Sequence, residues 1–232
     1  MVLQFPRLKT LVIFLFVIGH RPAPVQMVDL KDVEAAASTN ITPGSSITGD
    51  VQQELIKSGF LRTLAIFVEN WTRYPLISPF VYHKDGYSDS TKLTIQPGMK
   101  EVFITRKTSY LLAGTTGVVS WLVEGAKRRL VLLWAIPYDR VSYRNWMALG
   151  LTPKGITIPE DGSMTYRNMY FHSSNSQLKF TRDKTSVIHR DADFTIIGTL
   201  TEGPNAVMKV VFSPTHTSYL APVLLRALGL ST

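Results

Sequence analysis

The sequence contains no cysteine among its 232 residues, which excludes a disulfide framework and a thiolate zinc site. Acidic residues are also few. The 17 Asp and Glu stand against 25 Lys and Arg, so a disordered acidic tail protein is excluded as well. Hydrophobic residues make up 45% of the chain and aromatic residues 10%, which is enough to bury a substantial core. We therefore expect one ordinary domain that is stabilised by packing alone.

Long apolar runs are missing too, because the most hydrophobic stretch, residues 11–18, falls well short of the roughly 20 residues that a membrane-spanning helix needs. This short run follows Arg7 and Lys9, and a small residue, Gly19, comes after it. A basic start, an apolar run and a small-residue end are typical of a secretory signal peptide, with an N-terminal membrane anchor as the alternative. We expect residues 1–19 to be removed on export, which predicts a secreted protein.

Residues 20–46 are rich in Pro, Ala, Ser and Thr. This composition predicts a propeptide or a flexible arm. Sequons for N-glycosylation begin at Asn40, inside this segment, and at Asn70, further along the chain. Both asparagines are candidate glycosylation sites in an exported protein.

A short amphipathic helix is predicted to follow, in residues 47–60. Its apolar residues recur at helical spacing, and Asp50 and Glu54 lie on the opposite, polar face. The apolar positions are Ile47, Val51, Leu55, Ile56 and Phe60.

Residues 61–212 carry short runs of strand-forming residues, and Gly or Pro separates several of them. Many short strands at this density predict a mainly β fold, a β-sandwich. The predicted strands are residues 63–69, 92–95, 100–105, 117–123, 129–136, 194–197 and 206–212.

Two further segments complete the predicted architecture. Residues 159–173 break the β pattern, because Pro, Glu and Asp at their start predict a helix on which Tyr166 and Tyr170 share a face. The C-terminal extension, residues 213–232, contains a short apolar run. We expect this run to dock on the body, with adsorption to a membrane or removal of the tail as alternatives.

Signatures of catalysis and metal binding are absent from the sequence. Residues 189–191 match the start of a kinase catalytic loop, but Ile196 stands where such a loop needs an asparagine. Asp191 and Asp193 could pair as catalytic carboxylates, although solvation is the more common state of alternate residues at a strand start. Residues 127–129 form the only basic run, and a hairpin end explains it better than nucleic-acid binding. We expect no enzyme, no cofactor, no metal and no nucleic-acid partner.

Aromatic residues are concentrated between residues 134 and 171, where there are seven in 38 residues. Tyr143 and Trp146 follow a polar turn, which would place them in a loop or at a strand edge. Rings of this kind suit a membrane interface and can hold a quaternary ammonium by cation–π attraction. A partly buried core patch is the alternative.

Three stretches of this region form a specific combination, Ala135-Ile-Pro-Tyr-Asp139, Tyr143-Arg-Asn-Trp146 and Thr165-Tyr-Arg-Asn-Met-Tyr-Phe171. In this combination the sequence resembles the actinoporins, the cysteine-free pore-forming cytolysins of sea anemones and their relatives in other animals. The similarity extends over residues 60–212. It implies a β-sandwich flanked by two helices, recognition of phosphocholine headgroups, particularly of sphingomyelin, self-association on the membrane, and insertion of an N-terminal helix as the pore wall.

The resemblance also implies a headgroup-binding site, with Trp146 at its interfacial face. Asp85 and Ala135 stand where the family often has serines that line the phosphate pocket; a carboxylate repels a phosphate, and alanine lacks a donor. Ser142 stands where the family often has an exposed tryptophan, and Phe171 keeps the ring of a tyrosine. The implied site residues are Tyr143, Trp146, Tyr166, Tyr170, Phe171, Pro137, Leu111, Ala135 and Asp85.

The length of the N-terminal helix bears on the implied function. A helix over residues 48–59 would reach about 18 Å, whereas the hydrocarbon of a bilayer is about 30 Å thick. Either residues 28–58 rearrange together on insertion, or the pore is thinner or different, or the protein binds without perforating. If the helix inserts, Asp50 and Glu54 would line a lumen that favours cations. We expect a secreted cytolysin that acts at a target cell membrane; the alternative is a non-lytic, lectin-like or lipid-binding module on the same sandwich.

Overall fold

The computed structural model describes residues 27, 29–47, 49–57, 59, 61–88, 93–108, 112–139, 141–171 and 177–230. Within these ranges the chain forms two β-sheets and four α-helices. Three predictions concern residues outside them, namely the leader of residues 1–19, Phe60 of the predicted helix and Leu111 of the implied headgroup site.

The chain folds as a β-sandwich of two sheets, as the sequence predicts. The strands are β1 (Thr42–Pro43), β2 (Thr63–Asn70), β3 (Leu76–Asp85), β4 (Met99–Arg106), β5 (Thr115–Val123), β6 (Arg128–Ile136), β7 (Trp146–Leu151), β8 (Lys179–Asp183), β9 (Ser186–Arg190), β10 (Phe194–Leu200) and β11 (Asn205–Pro214). The six-stranded sheet has the order β1-β4-β2-β11-β10-β9, and the five-stranded sheet has the order β3-β5-β6-β7-β8. Most neighbours are antiparallel, but β11 runs parallel to β2 and β1 runs parallel to β4.

The core lies between the two sheets. Trp134 of β6, Phe194 of β10 and Phe212 of β11 are among its largest buried side chains. The indole N–H of Trp134 donates to the hydroxyl of Thr115 at 3.1 Å, so this buried polar group is satisfied. β6 is buried along its whole length, because one of its faces meets the other sheet and the opposite face lies under a helix. Its sequence is therefore a continuous apolar run without alternation.

Five strands, β1, β3, β7, β8 and β9, were not predicted from the sequence. β3 contains Pro79, its register against β5 shifts twice, and Ser78 adopts a φ of 47°, so its residues show no regular alternation. β8 and β9 are five residues long and largely exposed. Residues 92–95 were predicted as a strand, but their described part contributes a single bridge between Ile95 and Leu76.

Four helices surround the sandwich, namely α1 (Leu30–Asn40), α2 (Val51–Lys57), α3 (Gly162–Phe171) and α4 (Pro222–Ala227). α3 covers the outer face of the five-stranded sheet, where Tyr166 and Met169 are buried. α2 covers the outer face of the six-stranded sheet, where Val51 and Leu55 pack on β2 and β4. These two helices therefore lie on opposite faces of the sandwich. None of the described helices combines the length and the apolar character that crossing a bilayer requires.

Residues 30–40 were predicted to belong to a propeptide or a flexible arm, but they form α1 and pack on the body. Asp29 caps the helix through its side chain, and Val33 and Ala37 are buried against Trp71 and α4. The flexible-arm prediction is wrong for this part, because the alanine-rich composition also has high helix propensity. The C-terminal run docks in the same cluster. Cleavage of the segment stays a prediction.

α2 is shorter than the helix predicted over residues 47–60. It has seven residues and reaches only about 10 Å, because a glycine on each side adopts a positive φ that ends a helix. Of the predicted apolar face, Val51 and Leu55 are buried, whereas Ile56 is exposed. Ile47 packs on the same cluster from outside the helix.

Asn70 is a buried structural residue, and its predicted glycosylation is wrong. Its Nδ2 donates to the backbone oxygens of Tyr74 at 2.8 Å and Ile95 at 3.1 Å. Its Oδ1 accepts from the backbone N–H of Thr72 at 3.0 Å and from the Thr72 hydroxyl at 2.7 Å. A glycan on Nδ2 would have to pull this side chain out of the core. The side chain of Asn40 is partly exposed, so its glycosylation stays a prediction.

The basic run of residues 127–129 lies at the hairpin between β5 and β6, as predicted, but both of its arginines are buried. Arg128 Nη1 lies 2.7 Å from Asp191 Oδ2 and 3.4 Å from Asp193 Oδ2, and Lys154 Nζ lies 2.8 Å from the same Asp193 oxygen. These ion pairs join β6 to the turn between β9 and β10. The two aspartates are therefore partners of basic side chains in the scaffold.

Arg129 of β6 is only 1% exposed, and within the described residues its guanidinium meets oxygens of uncharged groups. Nη2 donates to the backbone oxygens of Ser78 at 2.7 Å and Ser120 at 3.1 Å, and Nη1 donates to that of Thr157 at 3.0 Å. Nε donates to the Ser120 hydroxyl at 3.1 Å. Burial lowers the pKa of Arg129, but a guanidinium remains charged in proteins. The side chain thus joins β3, β5 and the loop before α3 to β6.

We expect Arg129→Met to lower the free energy of unfolding by about 3 kcal/mol, because three buried or partly buried carbonyl oxygens lose this donor. Urea unfolding of the full chain measures the change. Arg167→Met replaces an exposed arginine of α3 and is the control, with an expected change within about 0.5 kcal/mol. Equal losses in the two variants would contradict the role given to Arg129.

Candidate functional site

One row of residues across the five-stranded sheet forms the floor of the site. Asp85 of β3 pairs in register with Thr116 of β5, Thr116 pairs with Ala135 of β6, and Ala135 pairs with Trp146 of β7. Residues that pair directly place their side chains on the same face of a sheet. All four residues line one open pocket on the side of the sheet that carries α3.

α3 places two tyrosines over this floor. Asp161 fixes the start of the helix, since its Oδ1 accepts a hydrogen bond from the backbone N–H of Met164 at 3.0 Å. Tyr166 and Tyr170 are four residues apart and therefore share a face, with ring centroids 5.1 Å apart. The Tyr170 ring also contacts the ring of Trp146 at 4.7 Å. These three rings form a continuous wall, which we call the ring wall.

The turn between β6 and β7 forms a second wall. The Asp139 carboxylate accepts hydrogen bonds from the backbone N–H groups of Val141 at 2.8 Å and Ser142 at 3.3 Å. A hydrogen bond from the Ser142 side chain, followed by these two, holds the pKa of Asp139 below its ordinary value. The turn leaves Val141 99% exposed and presents Tyr143 to the pocket.

These elements together line a pocket of about 540 Å³ that is open to solvent. Phe171 lies beside it, with its ring 4.9 Å from that of Tyr170. Leu111 is outside the described residues, but the adjacent Leu112 lines the pocket. The structure brings seven of the nine implied site residues into the lining, namely Asp85, Ala135, Pro137, Tyr143, Trp146, Tyr166 and Tyr170.

The rings differ in burial. Tyr166 is only 8% exposed, and this burial, with smaller contributions from neighbouring tyrosines and Asp85, raises the pKa of its hydroxyl. The hydroxyl therefore stays protonated at neutral pH and can donate. Trp146 was expected at the interfacial face, but it is half-buried between Tyr170 and Arg182, whose Cζ lies 5.8 Å from the indole. Its ring is part of the wall and is not free to insert into a membrane.

Several basic residues of the pocket were not predicted from the sequence. Arg144 and Lys184 line the pocket, and Arg182 supports it by donating from Nη1 to the backbone oxygen of Tyr170 at 2.8 Å. Arg144 lies directly after Tyr143 in the aromatic motif, so its position beside a predicted site residue could have identified it. Lys184 belongs to the turn after β8, and no local pattern marks it.

Four exposed apolar side chains, two in the lining of the pocket and two directly next to lining residues in the sequence, form what we call the apolar rim. Their exposed fractions range from 61% to 99%, and they come from three separate segments of the chain. Single exposed apolar residues are ordinary on protein surfaces, whereas a group of them around a pocket marks an interaction site. The apolar rim consists of Leu112, Val141, Tyr143 and Phe171.

The chemistry of the site is that of binding. A cation can lie against the ring wall, and carboxylate and basic side chains stand at its borders. Within the part of the chain that the structure describes, no three His, Asp or Glu side chains lie close enough to hold a metal ion.

Comparison with known proteins identifies the family. No family model matches the chain. It is 37% identical to Conoporin-Cn1 of Conus consors over 236 residues, which cover 97% of this chain and 94% of that protein. It is 41% identical to Tereporin-Ca1 of Terebra anilis over 187 residues, covering 77% of this chain and 98% of that protein.

The solved structures add a comparison of the fold. The lipid binding protein Nakanori matches with a TM-score of 0.57 and 19% identity, over 70% of this chain and 77% of that chain. At this identity the likeness concerns the sandwich alone. The conoporin and tereporin matches cover most of both chains. The chain therefore belongs to the actinoporin-like family of pore-forming toxins.

Proposed function

We propose that this protein is a secreted cytolysin that binds phospholipid membranes through the pocket, self-associates there and inserts its N-terminal segment as a pore. The observation that carries the proposal is the convergence of the ring wall and the apolar rim on one open pocket. Membership of the family of the conoporin and tereporin relatives supports the activity. Secretion rests on the leader pattern of residues 1–19.

The ring wall suits the positive end of a phospholipid headgroup. A quaternary ammonium against an aromatic face gains ~0.5–2 kcal/mol per ring, depending on its desolvation. Phosphocholine, as in sphingomyelin, is the reference ligand that the family implies. The protonated hydroxyl of Tyr166 and the cations of Arg144 and Lys184 are suitable partners for the phosphate.

The apolar rim suits the interface between headgroups and acyl chains. Leu112, Val141 and Phe171 leave most of their surface exposed to water, so their transfer into the interface removes apolar area from water at ~25 cal/mol per Å². Val141 stands next to Ser142, where the family often has an exposed tryptophan. The valine is therefore the apolar tip of this turn.

Pore formation requires that α2 leave the six-stranded sheet. A loop clamp holds the chain just before α2, because the buried Glu101 carboxylate accepts hydrogen bonds from the backbone N–H groups of Ser45 at 3.2 Å and Ser46 at 3.0 Å, and from the Ser46 hydroxyl. That hydroxyl in turn accepts from the backbone N–H of Val102 at 2.7 Å. Release of α2 has to break this clamp.

The inserting element must be longer than α2. A continuous helix over residues 30–57 would reach about 42 Å, more than the roughly 30 Å of hydrocarbon, so we propose that α1, the loop and α2 rearrange together. A single helix cannot enclose a lumen, and several copies must therefore assemble. Asp50 and Glu54 would then face the lumen and favour cations.

We expect Tyr170→Ala to weaken binding to sphingomyelin-containing vesicles about 2- to 30-fold, because the central ring of the wall is lost. Tyr170→Phe keeps the ring and should bind like the wild type. Tyr219→Ala, which removes a half-buried tyrosine outside the pocket, is the matched control. Vesicle flotation measures binding, and a Tyr170→Ala variant with unchanged affinity would refute the site assignment.

Val141→Asp tests the apolar rim. The side chain is almost fully exposed, so we expect no loss of stability but at least a tenfold loss of vesicle binding, since a carboxylate resists transfer into the interface. Ile188→Asp introduces the same charge at an exposed apolar residue of β9 and is the control. Comparable losses in both variants, measured by flotation, would show that the rim has no special role.

A reversible disulfide cross-link tests insertion of α2. Because the chain has no cysteine of its own, the two introduced thiols can pair only with each other within one molecule. We expect Leu55→Cys plus Ala65→Cys, which joins α2 to β2 inside one packed cluster, to bind vesicles in the oxidised form without releasing an entrapped dye. Reduction should restore dye release in the same sample. Full release by the verified oxidised form would contradict insertion of α2, whereas binding without release in both forms would favour the non-lytic module.

A further inference from the structure

Two carboxylates line the pocket, and only one of them is used by the fold. Asp139 holds its own turn through the hydrogen bonds from Val141 and Ser142. Among the described residues, the charged partner of Asp85 is Lys84, whose Nζ lies 3.9 Å from Oδ1 at a partly solvated position. An ion pair of this kind contributes little. The Asp85 carboxylate therefore remains available to a ligand.

Asp85 lies at the same end of the pocket as the most buried ring. It begins the floor row on β3, and Tyr82 of that strand packs against Tyr166, with ring centroids 6.4 Å apart. The charge of Asp85 contributes to the raised pKa of Tyr166, which agrees with their proximity. A cation that enters the ring wall therefore meets this carboxylate.

Apart from Asp139, whose carboxylate is bonded within its own turn, the charged side chains that line the pocket are arranged as a dipole. Asp85 lies at the β3 edge of the sheet, whereas Lys184 follows directly on β8 at the opposite edge. Arg144 lies in the turn before β7, also away from β3. A zwitterionic headgroup in this field places its ammonium toward Asp85 and its phosphate toward the basic side. In that orientation the repulsion between Asp85 and the phosphate is smallest.

Hydrogen bonding separates the two common zwitterionic headgroups. The trimethylammonium of phosphocholine has no N–H donor, so Asp85 can attract its charge but cannot accept a hydrogen bond from it. A primary ammonium has three N–H donors and forms a charge-assisted bond with a carboxylate. It is also more costly to remove from water without an acceptor. The ring wall alone supplies no such acceptor, whereas Asp85 does.

From this arrangement we propose that Asp85 makes the pocket selective for phosphate-linked primary ammonium headgroups, of the phosphoethanolamine type, over phosphocholine. The inference rests on the proposed function, because it concerns the same pocket. Asp85 is the specificity-determining residue, and the ring wall provides the part of the binding that both headgroups share.

The test uses the full chain and compares the wild type with Asp85→Asn. Soluble phosphoethanolamine and phosphocholine are titrated as competitors of vesicle binding, which removes effects of bilayer packing. Vesicles of phosphatidylcholine with added phosphatidylethanolamine, ceramide phosphoethanolamine or sphingomyelin then distinguish the lipid sources. Asp32→Asn changes the same charge on the exposed side of α1 and is the matched control.

We expect the wild type and Asp32→Asn to favour phosphoethanolamine about tenfold, the size expected for one charge-assisted hydrogen bond, and Asp85→Asn to lose this preference. Retained preference in Asp85→Asn, or equal competition by both headgroups in the wild type, would overturn the inference while leaving membrane binding intact. Failure of the wild type to bind any of the vesicles would instead overturn the proposed function, and the inference with it.

Discussion

The packing of α3 on the outer face of the five-stranded sheet is the contact on which the pocket depends. Met169 and Tyr166 are buried there against β5 and β6, and Gly162 permits the close approach, since a Cβ at that position would lie 2.3 Å from the Cβ of Tyr82. Burial of these side chains fixes the rotation of the helix about its axis. That rotation in turn brings Tyr170 against the indole of β7. The ring wall is therefore an extension of the buried cluster under α3.

Features that depend on neighbouring residues in the sequence were predictable, whereas features that depend on distant partners were not. The start of α3 and the continuous apolar run of β6 are local patterns, and the aromatic motif led to most of the pocket. The burial of the Tyr166 and Asn70 side chains depends on residues that are distant in the sequence and pack against them. Lys184 reaches the pocket only through the pairing of β7 with β8. α1 was missed because alanine is typical both of helices and of low-complexity arms.

Charged side chains join separate elements of this cysteine-free fold, a role that disulfides have in many exported proteins. Arg129 joins two strands and a loop through carbonyl oxygens, Arg128 joins β6 to the turn after β9, and Glu101 holds the loop before α2. Each of these charged groups has partners that belong to the scaffold. Asp85 differs from them, because its carboxylate opens into the pocket. The fold thus separates charges that stabilise it from a charge that is exposed to a ligand.

The opposite placement of α2 and α3 has a geometric consequence for any encounter with a bilayer. The pocket lies on the five-stranded side and α2 on the six-stranded side, so about 10 Å of intersheet spacing and a helix diameter of about 10 Å lie between them. When the five-stranded side contacts lipid, the thickness of the sandwich keeps α2 on the six-stranded side away from the bilayer surface. Under the proposed function, the N-terminal segment would therefore have to travel around an edge of the sandwich, which would make docking and perforation successive events with separate barriers.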